Sequence, residues 1–112
     1  MAGMKQILNK IGNTLSEIKE IKAIILYGSL ARGESTPRSD IDLFVISSKD
    51  IKDKIEEKVI QLENQMQRSI QPTIRTEKQL KTTDSGLLQN IFQEGKILFL
   101  REYFHFPVSF LL

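Results

Sequence analysis

The sequence predicts an α/β (α+β) fold, a small mixed β-sheet flanked by helices, and three observations carry that reading. Met4, Ile7, Leu8, Ile11, Leu15 and Ile18 recur at three- and four-residue spacing, the signature of an amphipathic helix. Ile21 to Tyr27 is a short, nearly continuous apolar run, which suits a strand buried on both faces. Strand-like and helix-like segments then alternate to about Leu100, a pattern that calls for helices packed on a sheet.

Taken in order, the helix at the start and the strand Ile21–Tyr27 are followed by a loop, residues 28–38, rich in glycine and small polar residues. Asp40 to Ser47 returns to strand chemistry through Ile41, Leu43, Phe44, Val45 and Ile46. Ser47 or Ser48 is placed to cap a second helix with the apolar face Ile51, Ile55, Val59, Leu62 and Met66. Ile70 to Arg75 alternates as a strand does, and Pro72 within it favours an edge, a strand start or a bulge. Thr76 and Gln79 have the spacing of a capping box. Asp84 or Ser85 starts a further helix that Gly95 stops, and Lys96 to Leu100 forms a last short strand. The first two strands lie too close for a full crossover helix between them, and spacing alone leaves parallel and antiparallel pairing both open.

Composition narrows the function classes. The 112 residues suffice for one two-layer core, and residues 1–112 read as one domain with its core at about 21–100 and an apolar tail at 101–112. No apolar stretch is long enough to span a bilayer, and no signal-peptide pattern opens the chain, so no membrane partner is expected. The absence of cysteine excludes disulfides and thiolate metal sites and fits a cytoplasmic location. His105 is the lone histidine, which argues against a zinc site. A net charge of +2 gives no strong case for direct nucleic-acid binding, so affinity for phosphate must come from a local site.

One segment stands apart: Gly28-Ser29-Leu30-Ala31-Arg32-Gly33, followed by Ser39-Asp40-Ile41-Asp42-Leu43. Asp40 and Asp42, two apart on a strand, project their carboxylates from the same face. Like charges held that close repel unless a cation sits between them. Hard oxygen donors suit Mg²⁺ or Mn²⁺, and Mg²⁺ is commonly bound by one or two carboxylates plus substrate phosphates. Gly28 lets backbone approach a phosphate, the N–H groups after it can converge on one, and the Ser29 hydroxyl adds a donor. Arg32 has the forked geometry that fits a triphosphate or leaving pyrophosphate. Alone, each piece has a bland reading: a turn, a solvated acidic face, a surface arginine. In this order, and each at a strand end, they are far more specific.

These residues resemble the signature of the DNA polymerase β-like nucleotidyltransferase superfamily, and the chain is most similar to its minimal nucleotidyltransferases (MNT). The likeness is densest from about Ile21 to Ile46, extends in pattern to about Leu100, and is looser at Leu87-Leu88-Gln89-Asn90-Ile91 through Glu94-Gly95. It implies the polymerase β-like fold, and transfer of a nucleoside monophosphate, AMP from ATP in the first instance, to a hydroxyl. It implies Gly28 and Ser29 at the phosphates, and Asp40 and Asp42 as the catalytic, metal-holding acids for Mg²⁺ or Mn²⁺; Arg32 and Ser39 are expected to join Gly28 and Ser29 in binding the nucleotide. It also implies a HEPN-type helical partner, with this chain as the antitoxin of a toxin–antitoxin pair. A homo-oligomer is also compatible with the chain.

Active members of that superfamily usually add a third carboxylate on a later strand. The corresponding run here, Ile70-Gln71-Pro72-Thr73-Ile74-Arg75, contains no acid, and Gln71 or Thr73 takes the position. Glu77 and Glu34 are the conceivable substitutes, and Arg75 would serve a phosphate or an acceptor better than a metal. The competing reading is therefore a nucleotide-binding module, weak or inactive in turnover, that neutralises its partner by binding. The tail from Phe104 to Leu112 is apolar for a terminus; it either folds over its own domain or docks on a partner, with the partner slightly favoured. His105 reads as a packing or surface residue of that tail.

Overall fold

The computed structural model describes residues 3–34 and 38–106. The first helix, α1, spans Met4–Ser16 and buries Ile11, Gly12 and Leu15 on one side. Its first turn is closed by Gln6, whose side-chain oxygen accepts the Gly3 N–H at 3.2 Å. The strand β1 is Ile21–Tyr27, β2 is Ile41–Ser47, and helix α2 follows at Lys52–Met66. β3 is Ile70–Thr76, a short 3₁₀ turn covers Gln79–Thr82, α3 is Ser85–Glu94 and β4 is Lys96–Leu100.

The four strands form one mixed sheet in the order β3-β2-β1-β4. β1 runs antiparallel to both β2 and β4, whereas β2 and β3 are parallel. Spacing left the direction of the β1–β2 pair open, and the structure settles it as antiparallel. The parallel pair β2–β3 is joined through α2, as a parallel connection requires. Pro72 falls on the edge strand β3, where a missing N–H costs the ladder least.

Strand alternation divides the core in two. Ile24 and Leu26 of β1 and Ile41, Leu43 and Val45 of β2 pack with Ile11, Leu15, Ile55, Val59 and Leu62 of the two long helices. The opposite face, Ala23 and Ile25 of β1 with Phe44 and Ile46 of β2, packs under Leu80 and Ile91. The nearly continuous apolar character of β1 and β2 follows from this double burial. Phe104 and Phe106 close over the second face, Phe106 meeting Phe92 and Phe104 edge-to-face at centroid distances of 5.5 and 5.3 Å. This part of the tail thus folds on its own sheet; the remainder, 107–112, lies outside the described residues.

Several local signals act as the sequence indicates. Thr76 and Gln79 form a reciprocal box: the Thr76 N–H donates to Gln79 Oε1 at 2.9 Å and the Gln79 N–H to Thr76 Oγ1 at 3.1 Å. Asp84 caps α3 by accepting the Leu87 N–H at 2.9 Å. The expected serine cap of α2 does not form. Ile51 occupies the cap position without a side-chain bond, because the fully buried Ser47 must satisfy its own hydroxyl and donates it to the Lys49 carbonyl at 2.7 Å.

Candidate active site

The Gly28-Ser29 turn and the start of β2 meet because β1 and β2 are antiparallel. The last residue of β1, Tyr27, pairs with Asp42, so the chain leaves β1 directly over the Asp42 carboxylate. Gly28 is demanded twice there. Its φ of +78° lies in the left-handed region, and a Cβ at this position would collide with the Asp42 carboxyl oxygen. The contact between Gly28 and Asp42 is therefore the joint on which the two halves of the motif close.

Residues 28–34 form a single helical turn. The Arg32 N–H reaches the Gly28 carbonyl at 3.2 Å, the Gly33 N–H that of Leu30 at 3.2 Å, and the Glu34 N–H that of Ser29 at 2.9 Å. Gly33, with φ of +76°, ends the turn. Leu30 and Ala31 are buried in the α1–α2 core and peg the turn in place. The N–H groups of Ser29, Leu30 and Ala31 stand at the open start of this turn, where backbone donors have no partner within it. The Ser29 hydroxyl lies at the same start.

Asp40 is exposed just before β2, and Asp42 is half-buried on the strand. Burial pushes the Asp42 carboxyl above the ordinary carboxylate range, the Asp40 charge pushes it further, and Arg32 opposes both. This is the electrostatic state of a carboxylate pair that gains from a cation. The chain entering β2 is pinned by Arg68, whose Nη2 donates to the Ser39 carbonyl at 2.9 Å, and by the Ile41 N–H on the Ser69 carbonyl at 2.9 Å. Ser39 is half-buried at that entry, beside the acids.

Arg32 is placed differently from the sequence expectation of a free phosphate ligand. Its Nε bonds Glu34 at 3.0 Å, and its Nη1 bonds both carboxyl oxygens of Glu94 at 3.1 and 3.0 Å. These partners raise the guanidinium pKa, Glu94 more than Glu34. Glu34 is thereby committed to Arg32 and is not aimed at the acids. Glu94 ends the loosely similar segment of the sequence, but its pairing with Arg32 carried no signal there, since only the packing of α3 brings it here.

The other substitutes for a third acid lie elsewhere. The Glu77 N–H bonds the carbonyl of Ser47, at the far end of β2 from Asp42 and about 16 Å away at a strand rise of ~3.3 Å per residue. Arg75, paired with Ile46, also belongs to that far end, where it lines a polar cleft of about 360 Å³ with Ser47, Asp50, Thr76 and Thr83. That cleft is remote from the Asp40–Asp42 pair. Beside Asp42 in the β2–β3 register stands Gln71, and the next β3 residue on that face, Thr73, bonds the Tyr27 hydroxyl at 3.1 Å. Tyr27 is the residue the sequence reading passed over; its position as the strand residue before Gly28 was the available signal.

The donor set fits a hard divalent cation. Two carboxylate oxygen donors flank a turn that offers N–H groups, and nothing softer is near. Among the described residues no group of three or more His, Cys, Asp or Glu could hold a metal ion, so further ligands would have to come from a bound phosphate or water. Among the described residues, too, no helix is long and apolar enough to cross a membrane.

Comparison with known proteins gives the family and the fold. The family model described as "Polymerase beta, Nucleotidyltransferase" matches residues 9–103. A Methanocaldococcus jannaschii protein provisionally named a protein adenylyltransferase, MJ1379, is 44% identical over 45 residues, which are 40% of this chain and 45% of that protein. The matched stretch spans about half the length of the curated relatives. A toxin–antitoxin structure solved with AMP-PNP superposes with a TM-score of 0.68 at 24% identity, covering 85% of this chain and 74% of that one. A spectinomycin adenyltransferase from Enterococcus faecialis, solved with ATP and spectinomycin, gives a TM-score of 0.72 at 15% identity over 97% of this chain and 63% of its own. At these identities the two structures speak to the fold.

Proposed function

We propose that this chain, which belongs to the polymerase beta nucleotidyltransferase family, moves AMP from ATP to a hydroxyl group of a protein or small-molecule acceptor. The observation that carries the reading is the contact of Gly28 with the Asp42 carboxylate, which puts the backbone turn after β1 against a pair of acids. Asp40 and Asp42 would hold Mg²⁺ or Mn²⁺. When bound, that cation would neutralise charge on the phosphate oxygens as it develops. The Ser29 hydroxyl and the N–H groups at the start of the turn would hold the distal phosphates, and Ser39 would border the nucleotide. The acceptor oxygen would bond to the α-phosphorus as the α–β phosphoanhydride bond breaks, releasing pyrophosphate, with the acceptor proton lost to water. Placement and electrostatics would supply most of the rate, as is general for phosphoryl chemistry.

The partner we propose is a helical HEPN-type protein, with this chain as its antitoxin. The support is the sequence resemblance to minimal nucleotidyltransferases and the fold shared with a toxin–antitoxin component. A second reading is favoured by one observation: no third acid of the described residues joins Asp40 and Asp42. On that reading the domain binds nucleotide and neutralises its partner by binding, with little or no turnover.

Incubation with α-labelled ATP and Mg²⁺ or Mn²⁺, with and without the helical partner, separates the two. Metal-dependent label on the partner, lost in Asp40→Ala/Asp42→Ala, is the expected result. A tight complex and bound nucleotide without label would sink the transferase reading and leave the binding module.

A further inference from the structure

The ground beside Asp42 is held by an uncharged pair. Tyr27 and Asp42 are cross-strand partners and so share a face of the sheet. Asp42 shares that face with Phe44 two residues on, and Phe44 pairs with Thr73 across the β2–β3 ladder. The Tyr27–Thr73 bond of 3.1 Å therefore spans β2, carrying the tyrosine ring from β1 to β3 alongside Asp42. Each hydroxyl satisfies the other.

The carboxylates nearby are otherwise accounted for. Glu34 and Glu94 both bond Arg32, and β3 turns Gln71 and Thr73, not acids, toward Asp42. Two cations set ~3.5–4 Å apart repel strongly, and a two-ion site needs bridging and flanking anionic ligands to offset that. Asp40 and Asp42 alone offer too little negative charge on the protein side.

We propose that this site takes one divalent cation with each nucleotide, and that the Tyr27–Thr73 hydroxyl pair sets that number by filling the place from which β3 would supply a further ligand. The proposal rests on the nucleotide-binding reading given above and adds to it a stoichiometry and the residues that fix it.

The test counts Mn²⁺ bound per full-length chain, from the electron paramagnetic resonance signal of free Mn²⁺, with a saturating non-hydrolysable ATP analogue. One ion is expected for the wild type. Thr73→Asp keeps an acceptor for the Tyr27 hydroxyl, and Tyr27→Phe/Thr73→Asp removes that hydroxyl's claim on the new carboxylate; both should bind two. Two ions on the wild type, or one ion on folded Thr73→Asp and Tyr27→Phe/Thr73→Asp, overturns the proposal. The same titration without nucleotide separates it from the function above. The added carboxylate should tighten Mn²⁺ binding by about tenfold or more, even if the protein proves unable to bind ATP.

Discussion

Arg32 holds both carboxyl oxygens of Glu94 through one nitrogen, at 3.1 and 3.0 Å, and so ties the turn after β1 to the end of α3. A guanidinium engaged this way is not available to phosphate until the pair opens. Glu94→Gln should therefore tighten the binding of a non-hydrolysable ATP analogue several-fold, read by calorimetry. Because the pair is partly exposed, its loss should cost the fold little. Unchanged or weaker nucleotide binding in Glu94→Gln would show that Arg32 serves the structure and not the ligand.

Gly28→Ala should be damaging in two separable ways. The left-handed backbone at φ +78° costs an alanine of order 1–3 kcal/mol, and the new methyl must displace the Asp42 carboxylate. Denaturant unfolding would measure the first. The second predicts loss of Mn²⁺ binding in variant protein that remains folded.

Asp42→Asn should stabilise the metal-free protein at neutral pH. Burial and the Asp40 charge raise the folded-state pKa of Asp42 above its unfolded value of about 3.9. The folded chain then holds the proton more readily than the unfolded one. The fold gains from this group only below the unfolded pKa, and the gain is lost as pH rises through the folded pKa. With the charge removed, thermal unfolding in chelator at pH 7 should show a more stable variant, by up to about 1 kcal/mol for a close like-charge pair. The difference should vanish below about pH 4. Equal stability at both pH values would mean the pair carries no strain.

Arg101 is the strap between β4 and α1. Its Nη2 donates to the carbonyls of Ser16 and Ile18 at 3.0 and 3.2 Å, its Nε to that of Ile21 at 3.1 Å, and its guanidinium carbon lies 4.6 Å from the Phe99 ring centroid. Cationic donors at a helix C-terminus satisfy carbonyls that the helix leaves open. Arg101→Met should cost about 2–3 kcal/mol, and Arg101→Lys should recover only part of it, since a lysine cannot fork across three carbonyls. Urea denaturation of the two variants checks the order.

Where the sequence was legible, one local property decided the outcome. β1 spans Ile21–Tyr27 as expected, because double burial leaves an apolar run that polar neighbours interrupt at both ends. The same holds for the Thr76–Gln79 box and the Asp84 cap, whose partners lie within one turn. Ser47 was misjudged as a helix cap because its burial, which redirects its hydroxyl to Lys49, is a property of the packed sheet. Asp40, Asp42, Gly28 and Ser29 could be picked out from chemistry and spacing alone. Thr73 was singled out only as an occupant of the third acid's position; its bond to Tyr27, and those of Glu94 to Arg32, were not legible, since they join residues 46 and 62 apart through the packing of β3 and α3.

The strand order has a bearing on how the protein breathes. β1 and β2 are the two inner strands, each bonded on both sides, whereas among the described residues β3 and β4 are the outer strands, each bonded to one neighbour. Opening fluctuations begin where fewest bonds must break, so amide protons on β3 and β4 should exchange with solvent well before those of Ile24, Leu26, Leu43 and Val45. The turn at Gly28 and the acids at Asp40 and Asp42 flank those inner strands at one end. Fraying of either rim would leave the hairpin that carries both intact, so partial opening and loss of the site become separate events.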